Sequence, residues 1–407
     1  KVPLTKNASN WQLSLQGLPA LVDKLDTDRQ NDVNGLSYED YLQIFLLTTS
    51  KAQKVKGGMD MIESSFREME DWNEFCLDHC ITALEASVDV KANKRKVFYH
   101  IFSGECSQKQ VDEIATEAKA QRCTAIIGVG GGKILDTAKA VSCQTKLPDV
   151  IIPTVASSDA PCSSLSILYH EDGEFDRYLQ LDSCPNVVLV DTMVIAAAPT
   201  RLLVAGMGDA MATWFEARAC RASGKNNQIQ AKPTRAATGL ARMCWENLKR
   251  DGLTAKMALD AKVCTEAVET IVETNTYLSS VGFESGGLAA AHGIQKGLTF
   301  IPALREQLHG FNVAFCVLAQ LVLEDSLEEL EEVMTFSRSV GLPICFADLG
   351  YENVDPQEVR NAAEKACVPT STIHNMPFEV TSEKVYRALM AADAYGRARD
   401  MPSPMKC

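Results

Sequence analysis

The feature that most limits the fold of this chain is a glycine-rich loop between an apolar run and a helical pattern. Residues 124–133 read TAIIGVGGGK, and a helical pattern over residues 133–141 follows directly. A buried strand that turns at once into a helix is the unit from which parallel α/β sheets are built. Further strands are predicted at residues 150–154, 165–169 and 187–190. We therefore predict an α/β fold for the N-terminal half.

The pattern changes near residue 195. The predicted helices that follow, long and separated by prolines, are residues 201–222, 234–250, 256–274, 287–296, 313–323, 328–340 and 382–399. An all-helical C-terminal half, residues 196–407, is therefore expected beside an α/β part, residues 73–195, with a cleft between them. Residues 1–72 are predicted to form an atypical helical segment without a buried strand, because charged residues interrupt the apolar runs of this segment.

Charge and cysteine content exclude several classes of partner. The 407 residues include 40 Lys+Arg and 53 Asp+Glu, a net charge of −13. Such a surface repels phosphate backbones and anionic lipid, so we expect neither nucleic acid nor a membrane as partner. The first residues show no apolar segment typical of a signal peptide. The 14 cysteines include no Cys-x-x-Cys pair and are interpreted as free thiols, which favours a reducing cytoplasm.

The glycine loop has the chemistry of a phosphate site. Glycines let the backbone approach a ligand closely, and a helix N-terminus presents unpaired N–H groups. Lys133 can add a positive charge. The motif is neither the usual dinucleotide fingerprint nor a P-loop, and a tight turn without a ligand is the alternative. The loop after the next predicted strand, residues 153–164, offers hydroxyl groups and the carboxylate of Asp159, or is simply a turn rich in Ser and Pro.

Three residues of the helical half form a candidate metal site. Asp209 lies in the otherwise uncharged stretch AGMGDAMATW, His292 ends the run GGLAAAH, and His309 precedes an apolar helix. One carboxylate oxygen and two imidazole nitrogens would hold a divalent ion with a position left open. Each residue also has an ordinary explanation: Asp209 as a helix N-cap, His292 as a core histidine and His309 as a turn residue. Spacing along the chain does not show whether the three meet.

In this order and at these separations, the motifs resemble the glycerol dehydrogenases, a branch of the metal-dependent (iron-containing, group III) alcohol dehydrogenase family. The matching segments lie between residues 98 and 399. They read SGECSQ (103–108), GGGKILDTAK (130–139), SSDAPCS (157–163), GEFDRY (173–178), GDAMATWFEAR (208–218), NTY (275–277), GFESGGLAAAH (282–292) and TIHNMP (372–377).

The resemblance implies a two-domain fold of the dehydroquinate-synthase type. A Rossmann-like NAD-binding domain would occupy residues 73–195 and a metal-binding helical domain residues 196–407. Zinc would be bound by Asp209, His292 and His309, and the polyol by Asp159 and His292. The implied NAD contacts are Gly130, Gly131, Gly132, Lys133, Thr154, Ser157, Ser163, Leu165 and Tyr169. Thr213 stands where iron enzymes of the wider family have a further histidine, which favours zinc. The family also implies a homo-oligomer.

The implied activity is oxidation of glycerol and similar vicinal diols, to dihydroxyacetone in the case of glycerol, with NAD as hydride acceptor. Zinc would lower the pKa of the substrate hydroxyl. The chain departs from the family at residues 1–70, and Asn73 stands where an acidic residue reaches the adenosine. The alternative is therefore a folded but weakened relative with impaired NAD binding, acting as an oligomeric scaffold. Lys296 stands where the family has Asn, and we expect it to point outward.

Overall fold

The structure, a computed structural model, describes residues 43–49, 96–102 and 104–400. These residues form two compact units. The first contains the described residues up to Val155 together with Ser163–Pro199, and the second contains Ala156–Cys162 together with the described residues from Thr200 onward. The predicted segment 1–72 lies outside the described residues apart from Gln43–Thr49, and Asn73 lies outside them as well.

The first unit is built on a parallel sheet. Its strands are β1 (Gln43–Thr49), β2 (Lys96–Phe102), β3 (Ala125–Gly130), β4 (Asp149–Pro153), β5 (Leu165–Tyr169), β6 (Phe175–Gln180) and β7 (Val187–Val188). The sheet has the order β2-β1-β3-β4-β7 with parallel pairing throughout, while β5 and β6 form a separate antiparallel hairpin. Its helices are α1 (Gln108–Ala120), α2 (Gly132–Thr145) and α3 (Thr192–Ala197). The strands β3 and β4 are buried along their whole length, as parallel strands covered on both faces are.

Strand β1 corrects the prediction for residues 1–72. That segment was expected to contain no strand, yet Gln43–Thr49 pairs in parallel with β2 on one side and with β3 on the other. The reason is that a short apolar run such as IFLL, residues 44–47, has no periodicity that separates a strand from a helix. Pairing with strands distant in the sequence decides its state.

The second unit is helical. Its α-helices are α4 (Thr200–Ser223), α5 (Arg235–Asp260), α6 (Glu266–Glu273), α7 (Ser279–Gly286), α8 (Ala290–Leu298), α9 (Pro302–Arg305), α10 (His309–Leu323), α11 (Leu327–Val340), α12 (Pro356–Ala366) and α13 (Ser382–Asp400). A π-helical turn, Thr274–Leu278, joins α6 to α7. The predicted fold class, an α/β N-terminal half followed by a helical half, is confirmed.

One predicted helix is wrong. Residues 256–274 do not form a single helix, because α5 ends at Asp260 and α6 begins at Glu266. Lys262 between them adopts a left-handed conformation with φ of 56°, which an α-helix does not tolerate. Among the described residues, no helix combines the length and apolar character that crossing a bilayer requires.

Candidate metal centre and cofactor loop

Helix α4 carries three buried polar side chains on one face. Asp209, Thr213 and Glu216 are all fully buried, and residues four and seven apart lie on the same side of a helix. The other buried residues of α4 are small or apolar. Asp209 lies in the interior of the helix, so the alternative that it is an N-cap is wrong. A buried carboxylate in an apolar helix needs hydrogen-bond donors or a cation.

The two oxygens of Asp209 have different surroundings. Oδ2 accepts a hydrogen bond from the backbone N–H of Asp159 at 3.2 Å. Oδ1 is buried and has no hydrogen-bond partner among the described residues. A buried oxygen without a hydrogen-bond donor is rare in a folded protein, and such an oxygen is suited to binding a cation.

Both predicted histidines face this oxygen. His292 lies in the first turn of α8, and His309 is the first residue of α10. The Nε2 atoms of His292 and His309 lie 3.3 Å and 3.4 Å from Asp209 Oδ1. His292 is 7% exposed, while the side chain of His309 is 36% exposed. The site is therefore buried on one side and accessible beside His309.

This donor set fits a divalent metal ion. The three ligand atoms all lie within 4.8 Å of one another, and the described residues contain no other such group of His, Cys, Asp or Glu. Ligands bonded tetrahedrally at about 2.1 Å are separated by roughly 3.4 Å, close to the two Asp209–histidine distances. Three protein ligands leave a fourth position for water or substrate, as in catalytic zinc sites.

Electrostatics also favour a cation here. Burial alone would raise the pKa of Asp209, but the imidazoles of His309 and His292 outweigh burial and lower it. Burial alone would lower the pKa of His292, but Glu216 and Asp209 outweigh burial and raise it. Positive charge beside Asp209 is thus stabilised, whether a proton or a metal ion supplies it.

Glycines allow the two ligand-bearing helices to touch. A Cβ built on Gly208 of α4 would lie 3.0 Å from Leu342 and closer still to the carbonyl oxygen of Gly310. A Cβ on Gly310 of α10 would lie 2.6 Å from the carbonyl carbon of Ala205. Asp209 and His309 are the immediate neighbours of these glycines, so the close helix contact brings the two candidate ligands together.

Asp159 is held against the same centre. Its backbone N–H binds Asp209, its Oδ2 accepts from the hydroxyl of Ser279 at 3.2 Å, and its carbonyl accepts from Ser280. Both serines follow the π-helical turn, whose Asn275 donates to the carbonyls of Ala156 and Leu203 at 2.9 Å and 3.0 Å. Such turns often occur at functional sites. Here the turn fixes the loop that carries Asp159.

Thr213 occupies the position at which a further histidine would stand in an iron enzyme of the wider family. Its hydroxyl lies 2.7 Å from the hydroxyl of Ser279, and both residues are fully buried. Ser279 also donates to Asp159, so the hydroxyl of Thr213 is linked to Asp159 through Ser279. Position 213 therefore provides no imidazole ligand.

The glycine loop lies in the first unit. Gly130 ends β3 with φ of +155°, and a Cβ on Gly128 would lie 2.6 Å from Ala138 of α2, so β3 and α2 pack very closely. Gly131 precedes α2 and provides no side-chain cap. The first-turn N–H groups of α2, including those of Gly132 and Lys133, are therefore directed toward any ligand at the helix end.

The ammonium group of Lys133 already has a partner. It lies 2.6 Å from Glu105 Oε1, so a phosphate at this loop would meet an ion pair and not an isolated cation. The backbone N–H of Thr154 donates to the carbonyl of Gly130 at 3.1 Å and ties the loop after β4 to the glycine loop. Ser157 belongs to the second unit.

A fully buried lysine, Lys139, positions two further predicted NAD contacts, Ser163 and Leu165. The sequence did not single out this lysine. Lys139 Nζ donates to the carbonyl oxygen of Leu165 at 2.6 Å and to that of Ser163 at 3.3 Å. It also pairs with Asp136 Oδ1 at 2.9 Å. Tyr169 ends β5 and is partly buried. The signal in the sequence was the Asp-x-x-Lys spacing, which places both side chains on one helix face.

Comparison with known proteins identifies the family. A profile described as "Iron-containing alcohol dehydrogenase" matches residues 76–192, and one described as "Family of unknown function (DUF5702)" matches residues 1–92. A glycerol dehydrogenase of Escherichia coli O6:H1 is 52% identical over 297 residues, which are 73% of this chain and 81% of that protein. The chain belongs to the iron-containing alcohol dehydrogenase family. The resemblance inferred from the sequence motifs is confirmed.

Two further proteins are also similar to this chain. A glycolaldehyde reductase of Halobacterium salinarum is 42% identical over 340 residues, covering 83% of this chain and 88% of that protein. The crystal structure of a probable glycerol dehydrogenase from Sinorhizobium meliloti 1021 matches with a TM-score of 0.79 and 34% identity, and the match covers 95% of each chain. The roles of the individual site residues stay predictions.

Proposed function

We propose that this chain is an NAD-dependent oxidoreductase that converts glycerol to dihydroxyacetone and acts on similar vicinal diols. The observation that carries the proposal is the buried, unpartnered Oδ1 of Asp209, which faces the Nε2 atoms of two histidines. The names of the similar proteins, glycerol dehydrogenase and glycolaldehyde reductase, support a small polyol or its carbonyl form as substrate.

We propose zinc as the metal, with Asp209, His292 and His309 as its ligands. A bound zinc ion supplies Lewis acidity, which lowers the pKa of a substrate hydroxyl so that the proton leaves near neutral pH. One carboxylate and two imidazoles suit zinc. Thr213 supports this choice. It stands where iron enzymes of the wider family have a further histidine, and its hydroxyl is already bonded to Ser279, so position 213 provides no additional nitrogen ligand.

Asp159 is proposed to orient the diol. Its carboxylate is held by Ser279 and its backbone by Asp209 and Ser280, so the chain fixes its position before substrate arrives. A fixed carboxylate accepts hydrogen bonds from substrate hydroxyls at little entropic cost. Of the two hydroxyls of the diol, the one that is not bound to Asp159 would then be the one that is oxidised.

NAD is proposed to bind along the glycine loop. The first-turn N–H groups of α2 would hold the pyrophosphate, with Lys133, Thr154, Ser157, Ser163, Leu165 and Tyr169 as further contacts. Bound there, NAD would supply a hydride acceptor for the hydrogen on the alcohol carbon of the substrate. The hydroxyl proton leaves to water, which gives the ketone, NADH and one proton.

The weakened-relative alternative rested on two features, an N-terminal segment without a strand and Asn73 in place of an acidic residue. Strand β1 lies in the sheet between β2 and β3, so the first reason no longer holds, while Asn73 lies outside the described residues. The cytoplasmic location and the homo-oligomer stay predictions from the sequence.

The test is turnover by purified, metal-stripped protein reloaded with zinc, iron(II) or manganese. Formation of NADH is followed with glycerol, propane-1,2-diol, butane-2,3-diol and ethane-1,2-diol. We expect zinc to restore the highest rate. The variant Asp159→Asn should raise the KM for glycerol while the affinity for NAD is retained. If the protein binds stoichiometric zinc and NAD but forms no NADH from any of these diols, the proposal is wrong.

A further inference from the structure

Glu216 is a fully buried carboxylate that forms three hydrogen bonds at the start of α8. Its Oε1 accepts the backbone N–H of Ala289 at 2.8 Å and that of His292 at 2.9 Å. Its Oε2 lies within hydrogen-bond distance of His292 Nδ1. A buried charge is retained only where it is well bonded. Its location suggests a role in placing His292.

Helix α8 has no capping side chain at its own N-terminus. The residue preceding the helix is Ala289, which provides no side-chain hydrogen bond. Glu216 from α4 takes two of the N–H groups, and Gln320 from α10 accepts a third, that of Ala291, at 2.9 Å. A negative charge at a helix N-terminus is also favoured by the helix dipole. Glu216 thus fixes the turn that carries His292.

The imidazole of His292 lies between two carboxylates of the same helix. Asp209 Oδ1 is beside Nε2 and Glu216 Oε2 is beside Nδ1. An acceptor at Nδ1 holds a proton on that nitrogen and leaves the lone pair on Nε2, which is the tautomer a metal ion requires at Nε2. Asp209 and Glu216 are seven residues apart, so one rigid helix sets both contacts.

We infer that Glu216 is a positioning residue for the metal centre: it fixes the tautomer and ring plane of His292 without itself contacting the ion. The inference rests on the proposed role of His292 as a ligand. Its consequence is that metal affinity depends on the carboxylate oxygen held against His292 Nδ1, beyond the contribution of Glu216 to folding.

The test is the variant Glu216→Gln. The amide keeps an oxygen for the backbone N–H groups, but its NH2 group cannot accept from Nδ1 and favours the opposite tautomer. We expect zinc affinity, measured by competition with a chromophoric chelator, to fall about 10- to 100-fold. The visible absorption of the cobalt(II)-loaded protein should change as well, because one ligand is lost or misplaced.

A matched control separates this role from general stability. Asp393 is also a buried carboxylate in the helical unit, and it accepts the N–H of Phe346 at 2.8 Å. The variant Asp393→Asn should lower the free energy of unfolding yet leave zinc affinity and the cobalt spectrum unchanged. Equal losses of affinity in Asp393→Asn and Glu216→Gln would overturn the inference.

A second variant keeps the inference testable if Glu216→Gln does not fold. Glu216→Asp retains the charge at the start of α8 but withdraws the carboxylate from Nδ1 by one methylene. We expect a weaker zinc site with a shifted cobalt spectrum. Wild-type affinity and spectrum in either variant would refute the role of Glu216, whereas turnover by the wild-type protein tests the proposed function separately.

Discussion

The proposed metal centre depends on the close approach of α4 and α10, and the variant Gly310→Ala tests that dependence. The added methyl group would overlap the carbonyl oxygen of Ala205, and it would lie 2.6 Å from the carbonyl carbon of Ala205 and 3.2 Å from the backbone nitrogen of Asp209. Non-bonded carbon atoms normally approach to about 3.5–4.0 Å, so α10 must move away from α4 by roughly 1 Å. His309 immediately precedes Gly310, and therefore the displacement separates His309 from Asp209.

The expected magnitude follows from two sources. Metal–ligand distances vary by only about 0.2 Å in good sites, so a displacement of roughly 1 Å should weaken zinc binding by at least about tenfold. Overpacking typically costs about 1–3 kcal/mol, while the better helix propensity of alanine returns at most about 1 kcal/mol. The metal-free variant should therefore be less stable than the wild type.

Zinc affinity from chelator competition and urea unfolding of the metal-free protein measure the two effects. The matched control is Gly239→Ala in α5, where a Cβ would meet nothing within 4 Å. That variant should be about 0.5–1 kcal/mol more stable than the wild type, because only helix propensity changes. If Gly310→Ala has the zinc affinity and stability of the wild type, the close helix contact does not set the ligand geometry.

Two lysines, one buried and one partly buried, give further expected outcomes. Lys139→Met should lower the free energy of unfolding by about 3–5 kcal/mol in urea titrations, because Asp136 is left as an unpaired buried charge. Adding Asp136→Asn to this variant should recover most of the lost stability. A double variant as unstable as Lys139→Met would contradict this account. Lys296 does not simply point outward as the sequence suggested: it is partly buried, and burial lowers its pKa from 10.5 to about 8, although Glu216 opposes this. Since the unfolded chain binds the proton more tightly, Lys296→Gln should be more stable than the wild type, by up to about 3 kcal/mol below pH 8. The difference should vanish as the pH rises to about 10.5, and a difference in Tm that is independent of pH would show that desolvation is not its cause.

The sequence predicted the α/β half because its local signals agree. An apolar run, a glycine loop and a helical pattern follow one another at residues 124–145, and β3 and α2 form there. Strand β1 was missed because its partners, β2 and β3, are distant in the sequence and its own pattern is ambiguous. The break between α5 and α6 was missed because a left-handed Lys262 has no signal comparable to glycine.

For the site, the sequence named the residues but could not show that they meet. Asp209, His292 and His309 lie on three different helices, and the contact through Gly208 and Gly310 that joins two of these helices is a property of packing. Glu216 had a detectable signal, since a second acidic residue stands two turns after Asp209 in an apolar stretch. Its role becomes apparent only from the buried face that it shares with Asp209 and Thr213.

The hydrogen bond between Asp159 and Asp209 couples the proposed substrate loop to a proposed metal ligand. Because Asp209 Oδ2 accepts from the backbone of Asp159, an ion that orders the carboxylate through Oδ1 also orders the loop that presents Asp159. Metal binding would then raise the affinity for the polyol even without a direct contact between ion and polyol. The reason is that the ion has already supplied part of the free energy needed to order the loop that carries Asp159. Linkage requires that the polyol tighten metal binding by the same factor. The shared carboxylate, with one oxygen for the ion and one for the loop, is the physical reason to expect the two affinities to depend on each other.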